Sequence, residues 1–285
     1  MSQRMKWLGR LGVPYQGSKN QIALEIISIL PSGKRFVDLF AGGCAMTHAA
    51  ILSGKYETFV ANDIHGFGVR LFRDAIAGKC NGAWRHWVSR EEFFAKRDTD
   101  PLVSLCWSFS NNGRDYLYAQ TKEAAKRAEH ERRARGEKAT MELESDEKPQ
   151  GLRQCEALER LQALERLQAL ERLQALERLQ ALERDYREVK ISAGDVVYAD
   201  PPYANTQRYN AGAFDNDEFW DWARCQAHLG RCVFVSEYTA PADFRAIWCK
   251  GKCQLMHALG ATGKKQERIF VYSDFADQYQ TDLFL

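Results

Sequence analysis

The sequence predicts an α/β fold, a largely parallel sheet with crossover helices that is cut in two by an inserted helical lobe. Strand-length apolar runs alternate with helix-like patterns up to about Lys79, and the same style resumes from about Ser192. Between them the chain is polar, rich in Lys and Arg, and carries a hexapeptide repeat. With 285 residues, 45% of them hydrophobic, there is enough apolar material for one substantial core and an appended lobe.

Taken in order, Met1 to Arg10 is basic but leads into no uninterrupted apolar stretch, so no signal peptide is expected. No segment reaches the roughly 20 apolar residues of a membrane span, and a cytoplasmic protein is expected. Gln21 to Leu30 is helix-prone. Arg35 to Phe40 reads as a buried strand, Met46 to Leu52 as a short helix, Glu57 to Ala61 as a second strand and Phe67 to Ala77 as a second helix. After the interruption, strands are expected at Asp195 to Ala199, Cys232 to Val235, Gln254 to Ala258 and Arg268 to Tyr272. Residues 1–105 and 186–285 would together form the catalytic unit, and 106–185 the insertion.

The insertion has two characters. Lys122 to Lys138 is a charged helix candidate that Gly136 should end. From Ala157 to Arg184 the chain repeats Ala-Leu-Glu-Arg-Leu-Gln, all strong helix formers, so a long helix is expected. Its leucines recur every third residue, and at about 100° per residue each lags its predecessor by about 60°. No face stays apolar, which excludes a heptad coiled coil.

The formal net charge is only +2, so any nucleic-acid surface must come from local clusters. Eight scattered cysteines include no CxxC pair; reduced thiols are expected, and no zinc site.

Asp200-Pro201-Pro202-Tyr203 follows an apolar strand directly and carries the strongest chemical signal. An exocyclic aromatic amine is a poor nucleophile because its lone pair is delocalised into the ring. Acceptors on its hydrogens pull that pair back to nitrogen. The Asp200 carboxylate can take one N–H and the Pro201 carbonyl the other, with the two prolines fixing the backbone. Tyr203 can stack on a base swung out of the duplex. Alone, the tetrapeptide is also compatible with a strand-ending turn.

Asp38-Leu39-Phe40-Ala41-Gly42-Gly43 ends another strand, where glycines let the backbone approach a ligand in the crevice of an open α/β sheet. Asn62-Asp63 ends the next, twenty-five positions beyond Asp38, where an acidic side chain can accept from ribose hydroxyls. Near the start, Tyr15-Gln16-Gly17-Ser18-Lys19 places a lysine and a glycine turn ahead of a helix, an arrangement suited to a carboxylate. Cys106 to Tyr118 mixes aromatics and amides with an arginine; Ser110, Asn111, Asn112 and Arg114 are of the types that contact phosphates and base edges. Trp107 and Phe109 could equally be core, with Asn111 to Gly113 a turn. Lys122, Lys126 and Arg127 begin a helix that is either phosphate-facing or a solvated face interleaved with Glu123, Glu129 and Glu131.

The order Tyr15-to-Lys19, Asp38-to-Gly43, an inserted lobe and then Asp200-to-Tyr203 resembles the Dam-type DNA adenine-N6 methyltransferases of the α group. The Cys106-to-Tyr118 segment is similar to phage-borne members. The resemblance spans both outer zones. It implies a Rossmann-like S-adenosylmethionine-dependent methyltransferase sheet with a helical target-recognition lobe, acting on adenine N6 in double-stranded DNA.

Residue by residue, the resemblance implies that Tyr15 and Lys19 contact the cofactor and that Phe40, Ala41, Gly42 and Gly43 line its pocket. Asp63 would hold the ribose, and Asp200 and Tyr203 would act on the target base. Tyr15 stands where relatives often carry tryptophan. A cognate restriction enzyme is a compatible partner, and the chain is expected to be a monomer or weak dimer. Three rival readings are an N4-cytosine methyltransferase, an RNA or protein methyltransferase, and a non-catalytic DNA-binding protein.

Overall fold

The computed structural model describes residues 11–137, 174–202, 214–250 and 266–279. Among them is one seven-stranded sheet in the order β3-β2-β1-β4-β5-β7-β6. The strands are β1 (Gly33–Asp38), β2 (Tyr56–Asn62), β3 (Leu179–Leu182), β4 (Asp195–Ala199), β5 (Val233–Glu237), β6 (Phe244–Cys249) and β7 (Arg268–Tyr272). The first five run parallel, and β7 pairs antiparallel with both β5 and β6.

The central strands are apolar runs because both of their faces are covered. Along β1, Phe36 turns to one side and its neighbour Val37 to the other; along β4, Val196 and Tyr198 alternate with Val197 and Ala199 in the same way. On the Phe36 side the sheet packs against α1 (Ala23–Ile29) and α2 (Ala45–Ser53). On the Val37 side it packs against the helix Asn216–His228, whose Phe219 and Ala223 are almost wholly buried.

A third cluster joins α3 (Phe67–Ile76) to the inserted lobe, with α4 (Arg90–Lys96), α5 (Pro101–Cys106) and the buried Trp107. The lobe's helices start where their caps require. Ser89 accepts from the N–H of Glu92, and Asp100 accepts from Leu102 and Val103 with Pro101 in the first turn. The charged helix forms as α6 (Gln120–Ala134) and stops before Gly136.

Most sequence-derived elements are present within a residue or two, but two differ. Phe244–Cys249, for which no element was expected, is the edge strand β6, held by antiparallel pairing to β7. The last copies of the hexapeptide are not one continuous helix. Gln174–Arg178 is helical, but Leu179–Leu182 is β3, paired parallel to β2 from Phe59↔Leu179 to Asn62↔Leu182. The unpaired edge of β2 supplies a hydrogen-bonding template that outweighs helix propensity, and the Arg178 guanidinium anchors the junction by donating to the carbonyls of Tyr56 and Glu57. The sheet thus includes residues that the sequence reading placed in the insertion. The remainder of the repeat, the expected strand Gln254 to Ala258, and Tyr203 lie outside the described residues.

Cys44, Cys80, Cys106, Cys225 and Cys232 are free thiols, whereas Cys249 is disulfide-bonded, which corrects the expectation of reduced thiols at that position. No helix among the described residues is long and apolar enough to cross a membrane.

The segment leading to Tyr15 is tied to α2 through His48, whose Nδ1 accepts from the N–H of Gly12 at 3.1 Å. Burial lowers the His48 pKa to about 4. A histidine held neutral in the fold contributes its full stability above the unfolded value near 6.5 and loses it as pH falls toward about 4. Denaturant unfolding at pH 7 and pH 5 should show a loss for the wild-type protein exceeding that of His48→Gln by about 2 kcal/mol.

Candidate active site

The direction of strand addition reverses between β1 and β4, and in open α/β sheets ligands bind outside the carboxyl ends at such a point. Asp38 pairs with Tyr198 in register, and the Leu39 N–H continues the ladder to the Tyr198 carbonyl at 3.0 Å. The chain ends that leave the sheet here are therefore Asp38 with its glycine turn, and Asp200 with its prolines. A cavity of about 480 Å³ opens over them.

Tyr15, Lys19, Asp38, Phe40, Ala41, Gly42, Gly43, Asp63, Asp200, Pro201 and Pro202 all line that one cavity. Residues far apart in the chain thus converge on one cavity.

Asp38 is 1% exposed. Its Oδ2 accepts from the Thr47 N–H at 3.2 Å and hydroxyl at 2.8 Å, and its Oδ1 is buried without a hydrogen-bond partner. Burial, opposed by the Thr47 hydrogen bonds and reinforced by the charges of Asp200 and Asp63, raises its pKa to about 7.

Asp63 shapes the glycine turn. Its Oδ2 accepts from the Gly42 N–H and its Oδ1 from the His65 N–H, both at 2.9 Å, while burial raises its pKa. Gly42 has φ +48°, and a Cβ there would lie 2.8 Å from Cε1 of Tyr15, so only glycine leaves the ring its place. Gly68, near the start of α3, is equally constrained, because a Cβ would come within 1.9 Å of the Gly42 carbonyl oxygen.

Asn62 ties three chain ends together. Its amide donates to the carbonyls of Leu39 and Arg184, each at 3.0 Å, and its Oδ1 is buried without a partner. One wall is aromatic, with the Phe40 ring 5.3 Å from Tyr186 and 5.7 Å from both Phe214 and Phe219. Sequence reasoning missed Asn62, Tyr186 and Phe214 as parts of the site. Tyr186 and Phe214 sit beside no motif, so the sequence held no signal for them.

Lys19 is held within the protein by two carboxylates, Asp200 Oδ2 at 2.8 Å and Glu267 Oε1 at 3.4 Å. Burial alone would lower its pKa; the pull of Asp200 and Glu267 outweighs that and leaves it raised.

In the inserted lobe, Trp107 is core, packed 5.1 Å from Trp87, whereas Phe109 is 62% exposed rather than buried. Ser108 and Tyr116 pair across a hairpin-like loop whose tip carries Ser110 and Asn111 at φ +54° and +59°. The Asn111 amide donates to the Leu105 carbonyl at 2.7 Å, and Asn112 accepts from the N–H groups of Arg114 and Asp115. Both asparagines hold the turn itself, while Ser110 and Arg114 stand exposed. On α6, Arg127 pairs with the exposed Glu131 at 2.8 Å, which favours a self-paired solvated face there, whereas Arg133 pairs with Glu129 at 2.8 Å with both side chains partly buried. Lys122 and Lys126 do not join the cavity lining.

With this geometry in place, comparison with known families is decisive. The model of the D12 class N6 adenine-specific DNA methyltransferases matches residues 15–232. The chain belongs to this family. Among curated proteins none matches. The methyltransferase acts on adenine N6 of DNA, and nothing supports the N4-cytosine, RNA, protein-substrate or non-catalytic readings. Its matched span begins at Tyr15 and contains both the Asp38 turn and Asp200, so the paired chain ends of the cavity fall inside the matched residues.

The unpaired Asp38 carboxylate gives a pH test of the ligand-free methyltransferase. A carboxyl whose folded pKa is raised stabilises the fold fully only below its unfolded value near 3.8, and that contribution is lost as pH rises through about 7. Asp38→Asn should therefore gain stability over wild type on going from pH 5 to pH 8, by about 2 kcal/mol in denaturant unfolding.

Proposed function

We propose that the cavity at the β1 and β4 ends binds S-adenosylmethionine beside a flipped adenine of double-stranded DNA, and that Asp200, Pro201 and Tyr203 activate the N6 amine. The convergence of Asp38, Asp63 and Asp200 on one cavity carries this reading.

The residues present fit that cofactor. The unpartnered Asp38 Oδ1 is an acceptor suited to an ammonium, and Asp63 to ribose hydroxyls. The turn at Gly42 and Gly43 brings bare backbone to the cavity, and Phe40 offers an aromatic face to a base. Tyr15 closes the turn from outside. When bound, the cofactor supplies an electrophilic methyl group on a sulfonium centre.

The chain's own part is to sharpen the nucleophile. Asp200 accepts one amine N–H and the Pro201 carbonyl accepts the other, which localises the lone pair on nitrogen. The proline pair holds that carbonyl without reorganisation. Tyr203 stacks on the extruded base. The amine sheds its proton after it takes the methyl group, so this scheme assigns no metal and no separate general base.

The catalytic unit in this proposal is the sheet with its covering helices, and the insertion that begins at residue 106 and carries α6 meets the duplex. Ser110 and Arg114 at the hairpin tip reach for bases and phosphates, and Lys122 and Lys126 add charge near the backbone. The enzyme works in the cytoplasm as a monomer or weak dimer, either beside a cognate restriction enzyme or alone.

Asp200→Ala should lower N6-methyladenine formation, measured by mass spectrometry of digested DNA, by about 10²-fold or more. Its S-adenosylmethionine affinity by calorimetry should stay within a few fold of wild type. Undiminished methylation by this variant overturns the site.

A further inference from the structure

We infer that the Tyr198 hydroxyl is the second acceptor of an ammonium-binding subsite, formed with Asp38 Oδ1, that recognises the α-amino group of S-adenosylmethionine. The inference rests on the proposed cofactor site and adds to it a residue of the sheet itself.

Two strands bring the pair together. Asp38 and Tyr198 are register partners of β1 and β4, and such partners on neighbouring strands present their side chains to the same face. That face is the one covered by α1 and α2. Tyr198 belongs to the cluster of Phe36, Val196 and Met46, and Asp38 accepts from the Thr47 hydroxyl on α2. Both residues also line the cavity. Tyr198 is fully buried, and its Oη, like Asp38 Oδ1, has no hydrogen-bond partner. A buried polar atom without a partner costs stability, and two of them side by side beneath a cavity point to one ligand group that satisfies both.

The neighbours fix the polarity of that group. Burial pushes the Tyr198 pKa well up, the charge of Asp200 adds to this, the Ser236 hydroxyl opposes it, and the charges of Glu267 and Asp38 add again. Tyr198 is therefore a neutral phenol. The Ser236 hydroxyl commits its own proton to Glu267 Oε1 at 2.6 Å, so toward Tyr198 it can act only as an acceptor. The lone pairs of Tyr198 Oη thus stay available to a donor, as those of an ionised Asp38 Oδ1 do. A primary ammonium carries three such donors and a compensating charge. A carboxylate in the same place would be repelled by Asp38.

The test measures calorimetric affinities of wild type, Tyr198→Phe, Asp38→Asn and Asp63→Asn for two ligands, with denaturant unfolding of the ligand-free proteins alongside. The ligands are S-adenosylhomocysteine, which keeps the α-amino group, and its deamino analogue, in which hydrogen replaces that group. Tyr198→Phe should weaken S-adenosylhomocysteine about tenfold and leave the deamino analogue within about twofold of its wild-type affinity, because a hydrogen bond to a charged group is lost only where the charge is present. Asp38→Asn should show the same selectivity. Ligand-free Tyr198→Phe should unfold at the wild-type denaturant midpoint or above it, since the hydroxyl removed has no partner to lose. Equal losses for the two ligands, no loss for S-adenosylhomocysteine, or a lowered midpoint in Tyr198→Phe overturns the inference, and a Tyr198→Phe chain that does not fold counts as the last of these. Asp63→Asn separates the two claims, because it should weaken both ligands. Unchanged affinities in that variant, or no binding by wild type, sink the proposed cofactor site itself, whereas a weakened Asp63→Asn beside an unimpaired Tyr198→Phe sinks only the role of Tyr198.

Discussion

The adjacency of β1 and β4 is the constraint on which the site depends. Their register places Asp38 opposite Tyr198 and extends to the Leu39 N–H, so the two strands release their chains side by side. Strands β2 and β3 add on one side and β5 on the other, and the connection from β3 to β4 contributes Arg184, Asp185, Tyr186 and Arg187 to the cavity lining. The crevice follows from topology, and the glycine turn and Asp200 stand on its two lips.

Once that crevice exists, carboxylates outnumber cations along it: Asp38, Asp63, Asp185, Asp200, Asp215 and Glu218 line it together with Lys19, Arg184 and Arg187. Burial raises the pKa of Asp38 and Asp63, which means that the ligand-free fold tolerates this concentration of carboxylates at a cost. Such a site suits a ligand that brings positive charge, and the proposed sulfonium cofactor with its ammonium does so. The raised pKa values and the suitability for a cation are two expressions of the same desolvated carboxylates.

The hexapeptide repeat shows how little a segment's own preferences decide when a sheet edge is open. Gln174-Ala175-Leu176 is helical, and the identical tripeptide Gln180-Ala181-Leu182 is strand. Leu179 and Ala181 turn toward the α3 side, and Leu182 packs against the opposite cluster with Val60, as the period of two requires. A leucine every third residue fits neither periodicity cleanly, so the tertiary partner makes the choice. The same strand carries the chain to Arg184, whose carbonyl Asn62 holds, and thereby links a low-complexity segment to the floor of the active site.

The sequence by itself determined the parallel α/β core, because strands buried on both faces must be continuous apolar runs and those runs cannot be hidden. It also marked Asp200 with its prolines, the Asp38 turn and Asp63 as candidates for the site, since each is a short local pattern at a strand end. Only the tertiary structure decided what depends on distant partners: that the last repeat is a strand, that Phe244–Cys249 pairs at the far edge, and that Phe109 projects while Trp107 is buried. Glu267 belongs with these. Its position beside Lys19 exists only because an antiparallel strand returns next to β5. Local patterns are written in sequence because backbone geometry reads neighbours; long-range pairings are not, because many partners satisfy the same hydrogen bonds and packing selects among them.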